Sequence, residues 1–417
     1  MKLVSKAFTV FVALCLCFSL GFSWRDVRKG SAPSAAAFRK LLTGNFSSTE
    51  TPTQLFQRHY NIILSSFYRP VDEQQLTHAG MTGLLASLGD PHTVFMEPEL
   101  AEDFAIETSG NYAGVGARLR GDDLGAKAVT VFKDGPADRA GLQVGDIVVK
   151  VDDLNVSGMG VDQIVDFVRG DEGTAVTLTV MREGVAQPIE IRIVRGYVVV
   201  PTVDGRILPD SNVAYIKIDS FGEPTAQQFK TILQGLDGRD PAGLVIDLRN
   251  NPGGLLDITV EMLSLFVDRK LAVTLKRRGS RGERLFTRRG RTLGINYPIT
   301  VLVNRNSASA AEIFSGVLRD YHLATIVGEH TYGKASVQNV ILLRDLSTAK
   351  ITNGRYFLPS GENISRKVDA DGVYVSGGIK PQVLAEATLG TFWEIGDPES
   401  DVVLQAAIKL IEEKNRR

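Results

Sequence analysis

Apolar residues change their period several times along this 417-residue chain, and each change marks an element. Ile299-Thr300-Val301-Leu302-Val303 is a short β-branched run suited to a buried strand, and after a polar gap Ile313, Val317 and Leu318 recur at helical spacing between Ala310 and Arg319. The pattern predicts a strand, a turn and a helix. Gly243 to Leu248 repeats the strand signature, runs into the polar, glycine-rich stretch Arg249 to Gly254, and continues as the amphipathic segment Leu255 to Phe266. Leu323 to Gly328 and Val337 to Leu343 read as interior strands. Upstream, Thr174 to Val180 and Ile189 to Val194 alternate in the strand manner, while glycines and Pro136 punctuate the shorter runs between Asp134 and Asp152. Helical stripes stand near both ends: Leu55, Tyr60, Ile63 and Phe67 within a helix-rich stretch from 34 to 90, and Val403, Leu404, Ala407, Leu410 and Ile411 between Asp401 and Lys414. Such stripes serve a core or a subunit contact. Together these elements predict an α/β chain of several modules.

Candidate chemistry gathers at two of the junctions. Asn306-Ser307-Ala308-Ser309-Ala310-Ala311-Glu312 places Ser309 at a helix N-terminus, where backbone N–H groups lack intrahelical partners, so the Ala310 amide can help hold an oxyanion beside a Ser309 hydroxyl. A structural reading competes: Ser307 or Ser309 as an N-cap, with Glu312 closing a capping box. Lys334 lies 25 residues after Ser309. A lysine, ordinarily titrating near about 10.4, serves as a base at neutral pH only when burial depresses it, and the apolar runs on both sides of Lys334 predict that burial. Gln338 is uncharged and placed to orient the amine without keeping it protonated. Gly328 to Ala335 also matches the phosphate-loop pattern Gly-x4-Gly-Lys, but Ala335 replaces the magnesium-binding hydroxyl, and a strand rather than a helix is predicted to follow. The paired glycines Gly253 and Gly254 permit close backbone approach, so either can supply a second oxyanion N–H.

These segments resemble the C-terminal processing peptidases, also called tail-specific proteases. The resemblance rests on Ser307-Ala308-Ser309-Ala310-Ala311-Glu312, on Gly333-Lys334 with Gln338 four residues later, and on Leu248-Arg249-Asn250-Asn251-Pro252-Gly253-Gly254. It implies Ser309 as nucleophile, Lys334 as general base, Gln338 as the residue positioning the lysine, and Gly253 or Gly254 with Ala310 as oxyanion donors. Leu88-Gly89-Asp90-Pro91-His92-Thr93 and Gly114-Val115-Gly116-Ala117 look like further landmarks, so the likeness spans roughly residues 55 to 385. Two departures stand out: a long polar stretch from Glu362 to Gly372, and Gln382 where the family often has aspartate.

Asp134 to Asp152 looks like the centre of a PDZ domain, a module that adds a peptide terminus as a strand to its sheet edge. That likeness implies Ala113, Gly114, Val115 and Gly116 as the carboxylate loop and Val161 to Arg169 as the helix flanking the groove. Arg169 is either a peptide-responsive residue or a solvated surface arginine. The implied fold is an α/β multidomain chain in which a β-rich PDZ domain with two helices precedes a crotonase-like αββ protease core, with helical segments at both ends. The expected divisions are 1–23, 24–98, 99–196, 197–390 and 391–417. The implied activity is that of a serine endopeptidase acting on proteins with free, hydrophobic C-termini. The alternatives are a catalytically silent PDZ scaffold and a Ser-His-Asp hydrolase using His330.

Composition changes this picture little. A net charge of −1 gives no reason to expect a polyanionic partner, and the basic run Lys276 to Arg291, with eight Lys and Arg against Glu283, reads as a solvated hairpin near the substrate path rather than a nucleic-acid surface. The histidines, His59, His78, His92, His322 and His330, show no metal-ligand spacing, and neither metal nor cofactor is expected. Lys2 and Lys6 precede an apolar run from Ala7 to Gly21, with Gly21-Phe22-Ser23 as a cleavage site. The pattern predicts export, to a periplasmic or membrane-associated location, the basic residues after Ser23 leaving an uncleaved anchor open. Cys15 and Cys17 fall inside that run, so a mature chain needs no disulfide. The terminal helices are the expected homodimer contacts.

Overall fold

The structure, a computed structural model, describes residues 51–386 and 393–416. The expected leader at 1–23, both cysteines and the run from 34 to 50 lie outside the described residues. Two compact units divide at Thr77 and His78. In the first, α1 (Pro52–Ser66) starts at Thr51, whose Oγ1 accepts the Gln54 N–H at 3.3 Å while its own N–H donates to Gln54 Oε1 at 2.9 Å. This reciprocal box satisfies two otherwise orphaned donors. No α1 residue is buried, so Leu55, Ile63 and Phe67 of the expected stripe are exposed within the chain. Helix α2 (Glu73–Ala86) buries His78 and Leu85, and β1 (Val94–Met96) and α3 (Pro98–Ser109) follow.

The PDZ-like module comprises β2 (Asn111–Gly114), β3 (Ala117–Asp122), β4 (Gly125–Val131), α4 (Pro136–Ala140), β5 (Ile147–Val151), β6 (Leu154–Asn155), α5 (Val161–Val168), β7 (Ala175–Met181), β8 (Ile189–Val194) and β9 (Gly196–Val199). Its sheet runs β3-β4-β5-β7-β8 with β6 on β5, while β2 and β9 pair antiparallel where the chain enters and leaves. Alternation explains the core: in β8, Ile191 and Ile193 point inward and Glu190 and Arg192 outward. They join Val148, Ile164 and Leu178 in a cluster of their own.

The remaining elements build the larger core: β10 (Val203–Ile207), β11 (Val213–Ile218), α6 (Thr225–Asp237), β12 (Gly243–Asp247), α7 (Leu256–Leu263), β13 (Leu271–Arg277), β14 (Glu283–Phe286), β15 (Ile299–Val303), α8 (Ala310–Asp320), β16 (Ala324–Gly328), β17 (Ser336–Leu342), β18 (Thr348–Phe357), β19 (Lys367–Val368), β20 (Tyr374–Ser376), β21 (Val383–Leu384) and α9 (Val402–Asn415). A six-stranded sheet, β10-β11-β12-β15-β16-β21, is parallel from β11 onward. Strands β12 and β15 are buried at every position, because helices cover both faces. Phe229 of α6, Met262 of α7 and Phe314 of α8 pack on one side, and Val403, Leu404, Ala407 and Ile411 of α9 on the other. The C-terminal stripe therefore serves the core, the first of the two roles expected for such a stripe.

A second sheet, β1-β18-β13-β14 with β17 beside β18, carries one wall of the site. Two expectations change here. Strand β1, placed by pattern in an N-terminal helical region, pairs with β18 of the larger core. Strand β17, expected to be interior, pairs only with β18 among the described residues and exposes Val340, Ile341 and Leu342. An apolar run of that length is shared by buried strands and edge strands. The basic run forms the β13–β14 hairpin and the loop after it.

Candidate active site

After β15 the chain turns through Asn304 to Ala308, and Ser309 stands at the start of α8 with φ 53° and ψ −113°. Few non-glycine residues adopt that backbone, and the neighbours must hold it. Ser307 Oγ donates to Leu248 O at 2.7 Å, Ala308 N–H donates to Asn251 O at 2.9 Å, and Ser309 N–H donates to Glu312 Oε2 at 2.9 Å. Asn304 and Asn306 both donate side-chain N–H groups to Asn250 Oδ1 at 2.9 Å. The glycine-rich turn after β12 thus laces the serine loop in place.

Glu312 does more than cap a helix. Fully buried, its carboxylate also accepts the Gly333 N–H at 2.7 Å, the Lys334 N–H at 2.9 Å and the Thr331 hydroxyl. One side chain therefore joins the Ser309 backbone to the Lys334 backbone. Burial pushes its carboxyl up, and the four donors only partly offset this. Nothing in the spacing between positions 312 and 331–334 announced this bridge. Tyr356 adds a second tie, its hydroxyl lying 2.6 Å from Lys334 O and 3.2 Å from Ser309 O.

Ser309, Lys334, Gln338, Gly253, Gly254 and Ala310 all line one cavity of about 400 Å³. Lys334 is half-buried; burial first, and then the positive charge of Lys350, lower its pKa, against opposing pulls from Glu312 and Asp90. Gln338 Nε2 donates to Ser336 Oγ at 2.8 Å and to Thr352 Oγ1 at 3.1 Å. Its carbonyl oxygen is thus the end left to meet an amine. The two glycines differ. Gly253 N–H is taken by Asn251 Oδ1 at 2.8 Å, whereas among the described residues neither Gly254 N–H nor Ala310 N–H has a protein acceptor. A Cβ on Gly253 would lie 2.8 Å from Ser309 Cβ, and one on Gly254 2.4 Å from Phe221 O, at φ +105° and +145° respectively. Both positions require glycine.

The competing motifs find less support. Strand β17, not a helix, follows Lys334 and Ala335, so the phosphate-loop pattern lacks its anion-facing helix end. Among the described residues no histidine lines the cavity, and His330 Nδ1 instead lies 3.4 Å from the Tyr374 hydroxyl. The long stretch after Gly361 packs on the lysine loop, with Arg366 N–H donating to Gly333 O at 2.7 Å. Gln382 Oε1 accepts the Ile326 N–H at 2.8 Å, a sheet-edge bond that an amide makes without charge.

In the PDZ-like module Ala113 and Gly114 end β2, Val115 is buried, and Gly116 has φ +80°. They precede β3, the edge strand beside α5. Arg169, the C-cap of α5, pairs with Asp103 at 2.7 Å, both side chains about half exposed. It is a surface arginine, solvated and paired at once. Asp103 belongs to α3, which also supplies Phe104 and Thr108 to the cavity wall.

Site and fold together define a serine-type peptidase equipped with a PDZ domain. The family model for peptidase family S41 matches residues 212–383, that for a PDZ domain 128–182, and that for the N-terminal domain of the activating protease CtpB 22–100. The chain is 32% identical over 363 residues to a carboxy-terminal-processing protease of Bartonella bacilliformis, covering 86% of this chain and 81% of that one. It is 33% identical over 364 residues to the carboxy-terminal processing protease CtpA of Bacillus subtilis, covering 85% and 75% respectively. A solved structure from Bacteroides fragilis NCTC 9343, described as an S41 protease, shares the fold at TM-score 0.52 and 17% identity, over 85% of this chain and 97% of that one. The chain belongs to peptidase family S41, among the C-terminal processing peptidases that carry a PDZ domain.

Proposed function

We propose that this peptidase holds the free C-terminus of a protein substrate on its PDZ domain and cleaves the tail with a Ser309–Lys334 dyad. The observation that carries this reading is the serine at a strained helix start and the half-buried lysine on one cavity, their backbones joined through Glu312. Neutral Lys334 takes the Ser309 proton as Oγ attacks the peptide carbonyl. Gly254 N–H and Ala310 N–H receive the developing oxyanion, and Gln338 steadies the amine through its carbonyl oxygen. The Lys334 ammonium then protonates the leaving amine, and water, deprotonated by the same lysine, hydrolyses the acyl-enzyme. Phe221, Leu255, Ile313 and Val337 give the cavity an apolar wall, which suits a hydrophobic tail.

Gly114, Val115 and Gly116 would hold the tail carboxylate beside β3, raising the concentration of the scissile bond near the dyad. The exposed α1 stripe would pair two copies, and the apolar N-terminal run would take the protein across the cytoplasmic membrane. Among the described residues no helix is long and apolar enough to cross a membrane. The same modular reading divides the chain at 1–23, 24–98, 99–196, 197–390 and 391–417.

The test compares the intact protein, Ser309→Ala and Lys334→Ala on an unfolded substrate ending in apolar residues and on its C-terminally amidated twin. Cleavage by the intact protein alone, with KM raised by amidation, is expected. Cleavage that survives in Lys334→Ala refutes the dyad, equal KM for both substrates refutes tail capture, and inertness of every form favours the silent scaffold.

A further inference from the structure

The cavity holds a second lysine that the dyad does not use. Lys350, on β18, lines the same wall as Lys334, opposite Val340 of β17 and Val94 of β1 in register. Its Nζ lies 4.8 Å from the Phe104 ring centroid, which fixes its head on the cavity side of α3. Asp90 approaches from the turn before β1. Its carboxylate accepts the Thr93 hydroxyl at 2.7 Å and the His92 N–H at 3.3 Å. Thr93 Oγ1 accepts the Thr352 N–H at 3.0 Å, and Thr352 Oγ1 accepts Gln338 Nε2 at 3.1 Å. A chain of hydrogen bonds therefore stitches the Asp90 turn to the strand wall bearing both Lys350 and Gln338.

We propose that Lys350 and Asp90 are opposed positioning residues for Lys334, the first favouring the neutral amine that accepts the serine proton and the second favouring the ammonium that returns it to the leaving group. The pair would set the pH at which the enzyme becomes active. The inference rests on Lys334 being the base. It agrees with the direction of each pull on Lys334: burial, then Lys350, lower it, while Glu312 and Asp90 raise it. Burial and then the Lys334 charge likewise lower the His92 imidazole in the same turn. The titratable groups around Lys334 are thus Lys350 on the same cavity wall, Glu312 and the Tyr356 phenol on its backbone N–H and carbonyl, and Asp90 and His92 on the turn before β1, whose charges act on it or respond to it. Glu312 and Tyr356 are tied to backbone groups on both sides of the dyad, whereas Asp90→Asn keeps a carbonyl oxygen for the Thr93 hydroxyl and the His92 N–H, so the charges altered are those of Lys350 and Asp90.

Since the base must be unprotonated, kcat/KM rises with pH through the Lys334 pKa. The experiment measures that acid limb for the intact protein, Lys350→Met, Lys350→Arg and Asp90→Asn, each also in a His92→Gln background so that imidazole titration is not mistaken for the amine's. Lys350→Met should move the limb to higher pH, lowering kcat/KM at pH 7 about three- to tenfold with recovery at alkaline pH, because each unit in pKa is tenfold in the neutral fraction. Lys350→Arg should leave it in place, and Asp90→Asn should move it the opposite way. Limbs that stay put, move together, or fall by one factor at every pH would overturn the proposal and leave these residues as packing. If Lys334→Ala still cleaves, the dyad itself is wrong, a result read before either charge is altered.

Discussion

Gly253 shows how narrow the tolerances around Ser309 are. A methyl group there would stand 2.8 Å from Ser309 Cβ, 2.8 Å from Ala308 O and 2.9 Å from Ala310 N, all rigidly held. Gly253→Ala is therefore expected to displace Ser309 and the Ala310 amide, the proposed nucleophile and oxyanion donor, and to lower kcat by about 100-fold or more, with circular dichroism unchanged. Steady-state kinetics on the unfolded substrate would check it; a loss confined to KM would contradict it. At this scale the serine and lysine were legible because each lies in a short local pattern whose residue types carry the chemistry. The choice between the glycines was not, since it turns on Asn251 folding back onto the Gly253 amide. Glu312 was read only as a cap, because its three other donors come from a loop some 20 positions away.

At the scale of elements, the glycine-rich turn is anchored from below. Arg249 reaches Asp401, the N-cap of α9, through Nη1 at 2.8 Å and Nη2 at 2.5 Å, and also contacts Asp247 at the end of β12. The Tyr215 hydroxyl donates to Asp247 Oδ2 at 2.8 Å, and all four side chains are buried. Burial raises the Asp401 carboxyl, but Arg249 and the Gly396 and Leu404 amides more than offset it, so the net shift is downward. Asp401→Ala leaves the guanidinium short of one partner and α9 without its cap. A loss of about 3–5 kcal/mol is expected, read as a lower denaturation midpoint. A change under about 1 kcal/mol would show that α9 docks by its apolar face alone. The strands and helices that build this arrangement were predictable from period, with helix limits displaced by up to three residues. Strand β17 was misjudged because an apolar run does not say which of its edges is covered.

For the whole molecule, the PDZ core and the peptidase core are separate clusters of buried residues. Each can lose its packing without exposing the other, so unfolding should depart from two-state behaviour, with a calorimetric enthalpy exceeding the van't Hoff enthalpy. Equality of the two would mean that the modules melt as one. Helix α3 contributes to both regions, pairing Asp103 with Arg169 of the PDZ module and lining the cavity with Phe104, yet an exposed pair of this kind adds less than about 1 kcal/mol. By itself the sequence determined the modules and the family and singled out Ser309 and Lys334 for the proposed dyad, because periodicity, glycine turns and a serine at a helix start are local and survive in one dimension. Tertiary structure alone decided that the Gly253 amide is taken by Asn251 while, among the described residues, the Gly254 amide has no protein acceptor, that Glu312 joins the Ser309 and Lys334 loops, and that Lys350 lines the same cavity as Lys334. Those relations depend on which distant backbones come within hydrogen-bonding or Coulombic reach, and no spacing along the chain encodes that.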